Sequence, residues 1–389
     1  MRILFVSELV PASEQAEITG GVEARLHYVT RHLAGRPGVE VQVLAERTDG
    51  TRWDAASLGS LPRRTALLGR LLAKGLRRRC DVVEASNLVV YPLGWLLGRL
   101  KRRPVVFWYP DVLLGSWRGG RFGRAGALGE LAERLVLKLP VDRYLAISAS
   151  TKAKLVAAGV APARIDVVGC GYEPEVVHRV LAEVAAGRPA GRPADGSAHI
   201  VVVSRLVPYK RVDLAIRALA RLAPTHGALV LDVVGQGPDR AALEALAGRL
   251  GVAGRVRFHG FVAAHADVLA IVARARVFVS MSEIEGFGIV VVEAMALGVP
   301  FVVSDIDVFR EVTAEGTGGL VVARGDEAAL TGAIAALVDD DERHASARAA
   351  GQARARRYTW AAVARQTEAV FASVVAAHPR GIPRQTAAP

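Results

Sequence analysis

Residues Ser282 to Pro300 read S-E-I-E-G-F-G-I-V-V-V-E-A-M-A-L-G-V-P. Two carboxylates, Glu285 and Glu293, stand with seven residues between them. A Gly286-Phe287-Gly288 turn and four β-branched residues, Ile289 to Val292, fill that interval. Gly286 and Gly288 are free to take positive φ and to let a ligand approach the backbone. The apolar run from Ile289 to Leu297 predicts a short buried helix, stopped by Gly298 and Pro300. Unpaired amides at the start of such a helix form an anion site. Glu285 then lies on the loop before the helix, and Glu293 more than one turn into it. An acid on each side of an anion-binding turn suits a ligand with hydroxyls at both ends and phosphate in the middle, as in a sugar nucleotide. The competing reading is a buried helix with a glycine-rich entry and two capping or ion-paired acids, so the rest of the chain must decide.

Upstream, His199 to Val203 reads as a buried strand, and Ser204-Arg205-Leu-Val-Pro-Tyr-Lys210 as its exit loop. Open α/β sheets bind ligands at the carboxyl ends of strands. Two cations in R-x4-K spacing across a proline-containing turn suit a diphosphate, which Arg grips in a bidentate way. Ala228 to Val234 is a further strand, entering Gly235-Gln-Gly237-Pro238. Arg240 occupies the place of a third glycine, so the dinucleotide fingerprint fails. Asp305-Ile-Asp307, after the predicted helix, reads as loop capping rather than as a metal site.

The first half repeats the strand-then-helix pattern. Arg2 to Ser7 is a continuous apolar strand, and a loop ending in Gly20-Gly21 leads to a helical run, Val22 to Ala34. That geometry also brings backbone close to a phosphate. Leu61 to Arg79 is a basic amphipathic helix whose leucines fit either a sheet or an anionic membrane. Pro104 to Tyr109 is a strand entering Pro110-Asp111, with Asp111 either a turn cap or a site residue. The β-α-β order argues two parallel sheets with helices on both faces. Residues 183–198, rich in Gly, Pro and Ala, make the best linker, giving domains at 1–182 and 199–357 and a final helix at about 358–376.

Gly20-Gly21, Arg205 and Lys210, Gly235 to Pro238, and Glu285 to Glu293 stand in an order and spacing that resemble the retaining GT-B glycosyltransferases of family 4, the group 1 glycosyl transferases. The resemblance covers nearly the whole chain and is strongest from His199 to Val322. It implies the GT-B fold: two Rossmann-like domains facing across a cleft, the first for the acceptor and the second for the nucleotide sugar, with the last helix crossing back onto the first. It also implies that Glu285 and the Gly286, Phe287, Gly288 and Ile289 backbone bind sugar and phosphate. Glu293 would bind ribose, Arg205 and Lys210 the diphosphate, and Gly20 and Gly21 the donor from the other side. Gly260-Phe261-Val262 resembles the segment beside the nucleobase. The chain departs from the family at Glu84 and Ser86, where many relatives carry His-x-His, and at Pro110, where many carry His beside the Asp. Asp111 is the acceptor-side candidate.

The expected activity is retaining transfer of a hexosyl group from a UDP- or GDP-sugar to an acceptor hydroxyl, with no metal and no cofactor. The acceptor is a lipid-linked molecule, a glycan or a small molecule. Other classes remain: an epimerase or phosphorylase of the same fold, or a non-catalytic sugar-binding partner. A product screen with nucleotide sugar alone, then with phosphate, separates them. With 389 residues and a net charge of +12, the chain suits two domains and anionic ligands, and nucleic acid is not expected. Two cysteines without metal spacing point to a reducing compartment. The expected location is cytoplasmic, with peripheral contact to a membrane through 61–79 left open.

Overall fold

The structure is a computed structural model and describes residues 1–11, 20–48, 61–117, 126–187 and 197–379, without the side chains of 9–11, 46–48 and 61–66. The chain divides into two compact units, Met1–Cys170 with Trp360–Pro389, and Gly171–Thr359. This division precedes the Gly- and Pro-rich stretch that composition had marked, because a helix upstream of that stretch packs within the second unit.

The first unit runs β1 (Arg2–Pro11), α1 (Gly21–Ala34), β2 (Glu40–Thr48), α2 (Leu61–Arg77), β3 (Val82–Ala85), α3 (Tyr91–Lys101), β4 (Val105–Tyr109), α4 (Gly126–Leu137), β5 (Arg143–Ala146), α5 (Ala149–Ala157) and β6 (Ile165–Val167). Its six strands are parallel in the order β2-β1-β3-β4-β5-β6. Strands covered by helices on both faces are nearly continuous apolar runs; β3 and β4 (VVEA and VVFWY) are buried at every position, and the one acid, Glu84, is paired with Arg25. Ser148 caps α5, its hydroxyl accepting the Thr151 amide at 3.1 Å. Leu67 and Leu71 of α2 are buried, and Leu68 and Leu72 pack against the same core. The core therefore occupies most of the leucine face that the sequence left open to a membrane, with Leu76 remaining 45% exposed.

The second unit runs α6 (Pro174–Ala185), β7 (Ala198–Val203), α7 (Val212–Leu222), β8 (Leu229–Val234), α8 (Arg240–Arg249), β9 (Val256–Gly260), α9 (His265–Arg274), β10 (Val277–Ser280), α10 (Ile289–Leu297), β11 (Phe301–Ser304), α11 (Asp307–Thr313), β12 (Gly319–Val322), α12 (Glu327–Asp339) and α13 (Asp341–Ala355). Its sheet is also parallel, ordered β12-β11-β10-β7-β8-β9. Strand order reverses between β7 and β10, which makes their carboxyl ends a topological switch point. The final helix, α14 (Trp360–Ala377), belongs to the first unit and packs on α1, with Tyr28 and Trp360 rings stacked at 5.3 Å. Among the described residues no helix is long and apolar enough to cross a membrane.

Candidate active site

The two loops at the second unit's switch point carry the residues singled out by sequence. The loop after β7 holds Arg205 and Lys210, and the loop after β10 holds Glu285. The loops are tied together by the Glu283 amide, which donates to the Tyr209 carbonyl at 2.8 Å. Arg211 adds a second tie, reaching Asp213 at 3.0 Å and Glu283 at 2.9 Å. It does so from a left-handed backbone, φ 50°.

Lys210 Nζ donates to Glu285 Oε1, and the same oxygen accepts from the Ser282 hydroxyl at 3.2 Å. The pair is not sealed: the Lys210 and Glu285 side chains keep 11% and 19% of their exposure. Arg205 is exposed and donates to the Tyr209 hydroxyl at 2.6 Å. The three groups thus line one mouth, with two cations able to turn toward an incoming anion.

The floor of that mouth is the start of α10, whose bounds match the sequence expectation. Of the two turn glycines, Gly288 takes the positive φ, at 86°. A Cβ there would also meet the Phe309 ring at 2.8 Å, so both backbone and space demand glycine. Phe287 is buried edge-on against Tyr358, ring centroids 5.7 Å apart. The Val291 and Val292 amides return to the Gly288 carbonyl, while those of Ile289 and Val290 find no acceptor among the described residues. Such amides at a helix start favour an anion.

Glu293, one turn in, is buried and faces a different partner. His265 Nε2, at the start of α9, lies 2.8 Å from its carboxylate. Burial opposes charge on His265, but Glu293 outweighs it and raises the imidazole above its ordinary value.

Two comparisons decide the family. The description "Glycosyl transferases group 1" matches residues 186–354, and "Glycosyltransferase Family 4" matches 19–176. D-inositol 3-phosphate glycosyltransferase 2 of Catenulispora acidiphila is 30% identical over 388 residues, covering 90% of each chain. The chain belongs to glycosyltransferase family 4. Glycogen synthase of Mycobacterium tuberculosis is 29% identical over 408 residues, covering 95% of this glycosyltransferase and 94% of that protein. Phosphatidyl-myo-inositol mannosyltransferase of Mycobacterium leprae is 36% identical over 191 residues, about half of either chain (49% and 50%). Among solved structures, sucrose-phosphate synthase of Thermosynechococcus elongatus aligns with TM-score 0.78 and 19% identity over 97% of this chain and 99% of that one. Anabaena HepE in complex with UDP-glucose aligns with TM-score 0.74 and 20% identity over 96% and 100%. These likenesses and the two parallel sheets give the glycosyltransferase the GT-B fold.

The first unit of this glycosyltransferase contributes different chemistry. Gly20 caps α1 in extended conformation, and among the described residues a Cβ there would meet nothing within 4 Å. Gly21 opens the helix. Asp111 is already engaged, accepting from Lys154 Nζ at 2.7 Å and from the Val112 amide at 2.8 Å. Glu84, at the place of the family histidine, is bound in bidentate fashion by Arg25 at 2.6 and 2.9 Å. Asp305 is held by Arg310, which lowers its pKa.

Sequence reasoning missed His265, Ser282, Arg25 and Lys154. Each acts through a partner 28, 3, 59 or 43 residues away, respectively. Only the Ser282–Glu285 spacing was short enough to be seen as local.

Proposed function

We propose that this protein transfers a hexosyl group from a UDP- or GDP-sugar to an acceptor hydroxyl, with retention at the anomeric carbon and without a metal. The observation that carries the reading is the open Lys210–Glu285 pair beside Arg205 at the mouth of α10. A diphosphate entering there would exchange Lys210's carboxylate partner for phosphate oxygens and free Glu285 for the sugar hydroxyls. Arg205 would swing from Tyr209 to the phosphate. The Ile289 and Val290 amides would add fixed dipoles, so the charge a metal otherwise supplies is present in the protein.

In the reaction, the bond from the anomeric carbon to the phosphate oxygen breaks and its electron pair leaves with the diphosphate. The acceptor oxygen bonds to the same face of the anomeric carbon, and its proton passes to the departing diphosphate oxygen. Arg205 and Lys210 stabilise that growing charge where it develops. Glu293, with His265, would hold the ribose hydroxyls, and the Gly260-Phe261-Val262 turn would lie beside the base. On the first unit, Gly20 and Gly21 would be donor-contacting residues, and Asp111 an acceptor-contacting one.

The names of the relatives span glycogen, inositol phosphate and phosphatidylinositol chemistry. We read the acceptor as an envelope glycan, a glycolipid or a natural product, and the reaction as cytoplasmic. Arg205→Ala or Lys210→Ala should lower kcat/KM by about 10²–10³-fold, with the circular dichroism spectrum unchanged. Full transfer activity in both variants would remove the diphosphate assignment.

A further inference from the structure

α4 is built the wrong way round for a surface helix. Its two acids turn inward: Glu130 and Glu133 are 8% and 3% exposed. Glu133 accepts from Trp117 Nε1 at 2.6 Å, the Leu113 amide at 3.1 Å and the Tyr109 hydroxyl at 3.4 Å. Three of its four leucines turn outward: Leu128, Leu131 and Leu135 are 70%, 54% and 57% exposed, while Leu137 packs against the core. Spaced i, i+3, i+7, they form one stripe. A scattered exposed leucine needs no explanation, but a stripe does. Exposed Arg134 and Lys138 border it, and Arg134 reaches back to Glu130 at 2.8 Å.

A second feature lies where α4 ends. The segment after it, Pro140 to Asp142, forms one wall of a cavity of about 420 Å³. Arg99, Arg102, Arg103 and Arg164 surround that cavity, with His378 and Asp142. Asp142 is occupied by the Val105 amide at 2.8 Å and faces His378 Nδ1 at 3.8 Å. His378 Nε2 lies 3.2 Å from the Arg102 carbonyl, to which it donates. Among the described residues none of the four guanidinium groups forms an ion pair with a carboxylate. Arg102 holds φ 55°, a conformation usually ceded to Gly or Asn at a helix end. Leu100, between these arginines, is 56% exposed.

The cavity lies at the amino-terminal edge of the sheet, where β4, β5 and β6 begin. Gly20 and Asp111 follow carboxyl ends of strands, at the other edge. Docking at the cavity would therefore leave those groups free.

We propose that the leucine stripe of α4 and the adjoining arginine cavity dock this protein on an anionic bilayer. The leucines enter the boundary between headgroups and acyl chains, and the arginines take lipid phosphates. Charge selects this occupant over a second copy: an isologous contact would bring two copies of the same basic patch, each with Arg134, Lys138 and the arginine cavity, into one interface. On α2, by contrast, Leu67, Leu68, Leu71 and Leu72 pack in or against the core and Leu76 alone among its described leucines is exposed, at 45%.

The test is sedimentation of the full chain with phosphatidylcholine vesicles, with and without phosphatidylglycerol. Wild type should bind only the mixed vesicles, and salt should weaken it. Leu131→Glu with Leu135→Glu should abolish binding, and Arg102→Gln with Arg103→Gln should weaken it about fivefold per arginine. Circular dichroism checks the fold, and Leu131→Ser carries the test should the paired glutamates disturb it. Unchanged binding in these variants, or no binding by wild type, would overturn the proposal. So would a wild-type dimer that Leu131→Ser dissociates in sedimentation velocity without lipid.

Discussion

Each unit holds a cation–carboxylate pair beside its topological switch point, and the two pairs are built to opposite ends. Arg25 and Glu84 are each 1% exposed, joined by two hydrogen bonds and roofed by the Trp108 ring at 4.5 Å. Among the described residues neither Arg25 Nε nor Trp108 Nε1 finds a hydrogen-bond partner. Lys210 and Glu285 share one contact and remain within reach of water. A planar fork locked in a dry site cannot exchange its partner without stranding a charge. A lysine is a mobile point charge that can leave a carboxylate for a phosphate. The first pair is therefore fitted to fasten α1 to the sheet, and the second to exchange its partner.

Breaking the buried pair should have the largest effect. Arg25→Ala leaves Glu84 buried and uncompensated and should cost about 3–5 kcal/mol of stability in urea unfolding. The double change Arg25→Met with Glu84→Leu sharpens the point, since it should recover most of that loss. Lys210→Ala should reverse the pattern. Its stability should change by about 1 kcal/mol or less, while transfer loses about 2.7–4 kcal/mol of transition-state stabilisation.

Asp232 provides an intermediate case. It is buried and bonded at 2.6 Å by His259 on one side and by His199 on the other. Burial pushes its pKa up, but the two histidines outweigh this and hold it at about 2. A depressed carboxylate contributes stability above its unfolded value, about 3.9, and loses it as pH falls through the folded value. The stability difference between wild type and Asp232→Asn should therefore shrink by about 2 kcal/mol between about pH 5 and pH 2. A difference independent of pH would contradict this.

The smallest effect belongs to His265, whose pKa is raised beside Glu293. A raised imidazole stabilises fully below its unfolded value of about 6.5, and that contribution is lost as pH rises through the folded value. His265→Gln should lower Tm more at about pH 6 than at about pH 9, by the equivalent of about 1 kcal/mol or less. The same size of change at both values would show that the imidazole acts only by packing.

The second unit was legible because each of its two loops carries a short motif and the strand order of an α/β sheet brings such loops together, although Lys210 and Glu285 lie 75 residues apart. The glycines, apolar run and stop signals set α10 from Ile289 to Leu297, and strand order brought Lys210 to Glu285, with Arg205 held nearby on Tyr209. The left-handed residue was narrowed to Gly288 only by its packing on Phe309. The first unit resisted for two reasons. Arg25–Glu84 and Asp111–Lys154 join residues far apart in sequence, which periodicity cannot see. Amphipathicity also names an apolar face without saying what covers it. Most of the face of α2 went to the core, while that of α4 stayed outside because Glu133 satisfies three donors within.

The central claim is that Arg205 and Lys210 form the diphosphate site of a glycosyltransferase. Calorimetric titration of UDP, GDP, ADP and TDP into wild type and into Arg205→Ala and Lys210→Ala variants tests it most directly. The account predicts that wild type binds UDP or GDP, and that each variant, still folded, loses about tenfold or more in affinity. Equal binding by all three proteins, or no binding of any nucleotide by wild type, would contradict it.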